Sequence, residues 1–207
     1  MQAAPRSRRE VKKETTRQRI IETGIRIFSA RGIDAATVEE IAAAADVGKG
    51  TIYNYFAAKE DIVVAFMMDL EREIQRKALR LSESKQPLER LLTQFVKYHL
   101  RSKEPHHKFV RVLLGQMFMG GEAFLPRIVE LQAATDPPLE TLFTRLRERG
   151  LIRNDVPLAD LILLFKTTQL GLTSLWVIEG PPWEHTYELA ALQMKVFCQG
   201  IGKGERR

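Results

Sequence analysis

Between Thr37 and Phe56 the chain reads Thr-Val-Glu-Glu-Ile-Ala-Ala-Ala-Ala-Asp-Val-Gly-Lys-Gly-Thr-Ile-Tyr-Asn-Tyr-Phe, with its polar chemistry gathered towards the end. Lys49, Thr51, Tyr53, Asn54 and Tyr55 place an ammonium, hydroxyls and a carboxamide on one short segment. Such groups donate to phosphate oxygens, which positions a protein on nucleic acid, and a carboxamide can also read a base edge. Asn54 suits adenine, while Glu39 could accept from a cytosine amine. Lys49 and Lys59 can neutralise phosphates, each contact steepening the salt dependence of binding. Thr37 adds a further hydroxyl.

Two short helices and a tight turn would hold these groups. Thr37 followed three residues later by Glu40 is a capping-box pair, which opens the first helix. Val38, Ile41, Ala42 and Ala45 then recur at helical spacing and give it a buried stripe. The turn falls at Ala45-Asp46-Val47, and Asp tolerates a left-handed backbone. In the second helix Ile52 and Phe56 lie four apart and face inward, so Gly50, Tyr53 and Asn54 face out. A helix with this outward composition fits the major groove of DNA.

From Arg17 to Ile62 the chain resembles the DNA-binding domain of the TetR family of transcriptional regulators. The matching residues are Ile20-Ile21, Ile27-Phe28, Gly32, Thr37-Val38, Ile41-Ala42, Val47, the run Lys49 to Phe56, and Lys59-Glu60-Asp61. Three positions depart from the family pattern. Gly24 stands where alanine is usual, a cost of roughly 1 kcal/mol in a helix. Asp46 replaces the usual turn glycine, and Gly48 the usual serine cap, worth about a few tenths of a kcal/mol. The resemblance implies DNA contact through Thr37, Glu39, Lys49, Gly50, Thr51, Tyr53, Asn54, Tyr55 and Lys59, with Gly50 allowing close backbone approach. It also implies a helical ligand-binding and dimerisation domain downstream.

The net charge of +6 is unevenly placed, since residues 1 to 19 hold seven Lys or Arg against Glu10 and Glu14 and so carry +5. Residues 1–13 are expected to be a flexible basic tail, either solvated or lying along phosphate beside the DNA-binding domain of residues 14–60. Residues 61–207 form the effector-binding and dimerisation domain. Helical periods run from Lys59 to about Ser84, Leu88 to Arg101, Pro105 to Gly120, Leu158 to Glu179 and about Trp183 to Gly200. Glu122 to Arg149 reads as one long helix or two, because Pro126 and Asp136-Pro137-Pro138 interrupt it. The expected fold is all-α: a three-helix helix-turn-helix domain followed by a larger helical domain, about nine helices in total.

The small residues Gly171 and Ser174, with Trp176-Val-Ile-Glu-Gly, resemble the family's dimer-forming region. An effector cavity would be lined by Phe66, Met67, Leu70, Phe95, His99, Leu113, Gln116, Met117, Phe124 and Trp176, although such a cluster equally fits an ordinary core. His99 and Gln116 could orient a ligand or hydrogen-bond within the fold.

No catalytic constellation is legible. Cys198 has no identifiable His partner, and His106-His107 lacks the spacing of a helical metal pair. A single cysteine excludes an internal disulfide and suits a reducing cytoplasm. The start Gln2-Ala-Ala-Pro5 has no apolar core of a signal peptide, and Lys166 interrupts Leu161 to Phe165, so no membrane-spanning run is expected. The reading is a non-enzymatic, cytoplasmic homodimer without metal or cofactor. It binds a double-stranded, palindromic DNA operator and is released by a small hydrophobic effector. A non-switching architectural DNA-binding protein is the alternative.

Overall fold

The computed structural model describes residues 7–119 and 125–202, which include nine α-helices and one short 3-10 turn. In chain order the helices are α1 Arg8–Arg31, α2 Val38–Ala44, α3 Lys49–Tyr53, α4 Lys59–Glu83, α5 Leu88–Arg101, α6 His107–Met119, α7 Leu125–Glu148, α8 Leu158–Glu179 and α9 Glu184–Ile201. Among the described residues there is no strand, only an isolated bridge between Ile152 and Gly202. The all-α expectation holds.

The chain divides into two compact units, residues 1–69 with 111–131, and residues 70–110 with 132–207. The first therefore takes in a segment that the sequence assigns to the larger domain. Its core is aliphatic: Ile20, Ile21 and Phe28 of α1 bury against Ile33, Ile41 of α2, Ile52 of α3 and Ile62 of α4. Gly24 has a packing reason here. A Cβ at that position would lie 2.9 Å from Ile62 Cγ2, so glycine is what lets α1 and α4 approach.

The basic tail expected through residue 13 is helical from Arg8. Ser7 Oγ accepts from the Glu10 amide at 3.2 Å and the Glu10 carboxylate accepts from the Ser7 amide at 2.7 Å. This capping box satisfies orphan donors and starts α1 early, placing Arg8, Arg9, Lys12 and Lys13 on a helix.

The second unit is built on aromatic contacts. Phe165 of α8 meets Phe95 of α5 at 5.9 Å, Phe143 of α7 at 5.2 Å and Phe197 of α9 at 5.7 Å. Trp176 stacks on Trp183 at 4.7 Å and 11°. Arg145 of α7 and Arg149 just beyond its end reach the last turn of α4, donating to Ser82 Oγ and Ser82 O at 2.9 Å each. Cations suit a helix C-terminus, so these bonds also satisfy its dipole.

Pro137 and Pro138 lie inside α7 instead of ending it. Proline keeps a helical φ but removes a donor and crowds the carbonyl four residues back, costs opposed by burial of Leu139, Leu142, Phe143 and Leu146. Contrary to the sequence expectation, α8 is long and apolar enough to cross a membrane by length and composition, at mean hydropathy 1.5. Its Leu161, Phe165, Leu172 and Trp176 are instead part of the second unit's core.

Candidate nucleic-acid interface

Hydrophobic packing of α2 and α3 decides what they leave outside. Thr37 opens α2 with both halves of its capping box made, Glu40 N to Thr37 Oγ1 at 3.2 Å and Thr37 N to Glu40 Oε2 at 3.0 Å. Asp46 takes the left-handed turn at φ 51. Ile52 and Phe56 turn inward at 1% and 5% exposure. The opposite face then presents Lys49, Gly50, Tyr53 and Asn54 to solvent, Tyr53 being 48% exposed.

Gly50 has open space around the position of a missing Cβ, so nothing within the protein requires glycine there. The missing side chain leaves its backbone open to close approach from outside. Lys49 lies 5.9 Å over the Tyr53 ring and forms an ion pair with Glu39. That bond, with Lys49's charge, holds the Glu39 carboxyl below its usual range and raises Lys49. Thr51 and Tyr55 are half-buried at the edges of the face, and Thr37 is exposed.

Lys59 behaves differently. Its Nζ donates to Asp34 O at 3.0 Å and Ala36 O at 2.9 Å, tying the start of α4 to the loop before α2. An ammonium has three donors, so one N–H remains for a phosphate. Gln116 Nε2 donates to Asp34 Oδ2 at 2.8 Å and joins the same loop.

The structure therefore brings Glu39, Lys49, Gly50, Tyr53 and Asn54 onto one surface, with Thr37, Thr51 and Tyr55 beside it. The candidate effector residues do not fall in one unit. Phe66, Met67, Leu113, Gln116 and Met117 belong to the first, and Leu70, Phe95, His99 and Trp176 to the second. Phe124 lies outside the described residues. Phe95 and Trp176 are fully packed, and Gln116 is engaged by Asp34.

A polar group in the second unit went unnoticed in the sequence. Lys103, Gln169 and Thr173 are each less than 8% exposed. Gln169 and Thr173 extend the buried stripe of Phe165 and Trp176, and that polar interruption of an apolar period was the available signal. Burial pushes the Cys198 thiol up to about 12, and no cluster that could hold a metal occurs among the described residues.

A profile described as bacterial regulatory proteins of the tetR family matches residues 20–66, which span the α2–α3 face and the core beneath it. The HTH-type transcriptional repressor SCO4008 of Streptomyces coelicolor is 28% identical over 151 residues, covering 73% of this chain and 74% of that protein. Over residues 20–66 the chain is similar to the TetR family. By that similarity it is a DNA-binding transcriptional regulator, and the proteins it resembles are regulators, not enzymes.

Solved structures agree with the fold. The fatty acid degradation regulator FadR from Bacillus halodurans superposes with a TM-score of 0.74 at 19% identity, over 97% of this chain and 98% of that one. FadR from Bacillus subtilis, solved in complex with stearoyl-CoA, gives a TM-score of 0.74 at 20% identity, over 89% and 98%. At such identities the likeness speaks for the fold.

Proposed function

We propose that the protein is a cytoplasmic, homodimeric repressor that a small, largely apolar effector releases from a palindromic operator. The observation carrying this is the outward face of α3, whose donors are exposed while its apolar side chains are spent on the core. Residues 14–60 carry DNA recognition in this reading, through Thr37, Glu39, Lys49, Gly50, Thr51, Tyr53, Asn54, Tyr55 and Lys59. The basic start of α1 lies along phosphate. Residues 61–207 bind the effector and the second subunit.

Dimerisation is supported by a stripe on α8. Leu164, Gly171, Leu175 and Ile178 recur at spacings of seven, four and three, all exposed, Ile178 at 79%. Leu192 and Val196 of α9 are exposed at 57% and 60%. Apolar stripes of this kind on neighbouring helices mark a surface that another chain covers. Gly171 has open space where a Cβ would stand, which suits close approach of a second helix. Trp176, expected at the seam, faces its own core instead, because its indole is spent on Trp183.

Release requires an effector that binds best to a conformation with weak DNA affinity, and linkage then makes the two affinities oppose each other by one factor. The stearoyl-CoA held by the Bacillus subtilis FadR supports an apolar effector on this fold. The experiment extracts small molecules that co-purify with the protein, identifies them by mass spectrometry and titrates them into the protein–DNA complex. Loss of DNA binding is expected. DNA affinity indifferent to every molecule that binds would leave a non-switching DNA-binding protein.

A further inference from the structure

The second unit buries donors that its own fold leaves unanswered. Gln169 is 7% exposed, yet neither its amide nitrogen nor its amide oxygen has a partner among the described residues. One turn on, Thr173 Oγ1 donates to Gln169 O at 2.9 Å and accepts a long 3.5 Å bond from Lys103 Nζ. Burying such groups without hydrogen bonds costs stability that packing alone does not return.

Geometry draws them into one place. Phe95 meets Phe165 at 5.9 Å and Lys103 meets Thr173 at 3.5 Å, so α5 and its C-terminal turn run parallel to α8 between these contacts. Eight residues separate the anchors on both strands of the pairing, about 12 Å of helix. Midway, the register sets His99 at the level of Gln169. One end of this seam is aromatic, and the other holds an ammonium, a carboxamide and a hydroxyl.

That end holds a buried ammonium facing a largely buried carboxyl. Burial pushes Lys103 down to about 8 with the Glu71 charge opposing, so the ammonium persists at neutral pH. The carboxyl facing it, Glu71 of α4, is itself pushed up to about 7 by burial, against the pull of Lys103. Burial also holds His99 well below its usual range, so it is neutral. A cluster with donors in excess and incomplete charge compensation calls for an acceptor carrying negative charge.

We propose that Lys103, Gln169 and Thr173 receive the head group of the effector, and that this group is a carboxylate on an otherwise apolar molecule. The inference rests on the ligand-responsive reading above and names the effector's class. The carboxylate accepts from Lys103 Nζ and Gln169 Nε2, and the apolar remainder is bordered by Phe95, Phe165 and Trp176.

The test is calorimetric titration of the full chain with decanoate, 1-decanol and decanoyl-CoA, with DNA binding followed in parallel. Decanoate is expected to bind, and Lys103→Met and Gln169→Leu to weaken it at least tenfold while leaving any binding of 1-decanol unchanged. Gln169→Leu replaces an unpartnered buried amide, so its thermal midpoint should hold or rise, and for Lys103→Met the unchanged binding of 1-decanol separates lost recognition from lost folding. Absence of decanoate binding, equal binding of the alcohol, binding of decanoyl-CoA alone, or indifference to Lys103→Met overturns the head-group assignment. Lys103-dependent decanoate binding without DNA release keeps the site and overturns the switch. Release by 1-decanol independent of Lys103 keeps the switch and overturns the site.

Discussion

Glu39 of α2 and Lys49 at the start of α3 form an ion pair across the helix-turn-helix, on the same surface as Tyr53 and Asn54. In the proposed reading a phosphate meets an ammonium whose charge Glu39 already partly offsets, so the pair would set part of the DNA affinity.

Lys49→Ala should flatten the dependence of log affinity on log salt by about one unit, as loss of one phosphate contact requires. Glu39→Gln should instead strengthen binding modestly, as expected for an exposed pair. Fluorescence anisotropy at several salt concentrations measures both. If Glu39→Gln weakens binding and relaxes preference at one base pair, Glu39 reads cytosine and its pairing with Lys49 is secondary.

At Gly24, two terms oppose each other. Alanine would gain roughly 1 kcal/mol of helix propensity, but its Cβ would fall 2.9 Å from Ile62 Cγ2. Ile62 is fully buried and stiff at χ1, so overpacking of about 1 to 3 kcal/mol outweighs the gain. Gly24→Ala should lower stability by about 1 kcal/mol in urea unfolding. Ile62→Val should offset part of that loss in the double variant, and additive losses would show that the contact is relaxed at no cost.

The proposed dimer seam would separate exposed from buried positions on one helix. Ile178→Glu puts a charge where the monomer already meets water, so folding should change by less than about 0.5 kcal/mol while the dimer dissociates. Trp176→Ala should cost about 3 to 5 kcal/mol of folding stability, because the indole is buried against Trp183. Light scattering beside thermal melting distinguishes them. A dimeric Ile178→Glu variant would move the seam elsewhere.

Stability should respond to pH through Glu71 and Lys103. The raised carboxyl of Glu71, about 7 against 4.5, contributes stability present below pH 4.5 and lost as pH rises through 7. The depressed Lys103, about 8 against 10.5, contributes stability present above pH 10.5 and lost as pH falls through 8. The pair is thus least favourable between pH 7 and 8. Relative to Glu71→Gln, the wild-type chain should lose about 3 kcal/mol between pH 4.5 and 7. A constant difference across that range would mean Glu71 is solvated.

Local signals were the legible ones. The Thr37–Glu40 capping box, the left-handed Asp46 and the inward pair Ile52 and Phe56 all act within a few residues, and the structure forms each as expected. Ser7 and Glu10 carry the same capping signal, but a run of Arg and Lys masked it. Gly24 was read by propensity alone, since its partner Ile62 is distant in sequence. Lys103, Thr173 and Glu71 escaped notice for that reason too, because each looks like a solvated side chain until three helices assemble. Trp176 and Ile178 show the limit of composition, which marked α8 as a seam but not which face is turned outward.

The central claim is that two copies of α3 read one operator. Sequences bound by the full chain can be selected from a random DNA pool, and the mass of each complex measured by light scattering. The expected result is an inverted repeat whose half-site centres lie one helical turn apart or a multiple of it, bound by an even number of chains. An asymmetric site held at full affinity by a single chain would contradict it.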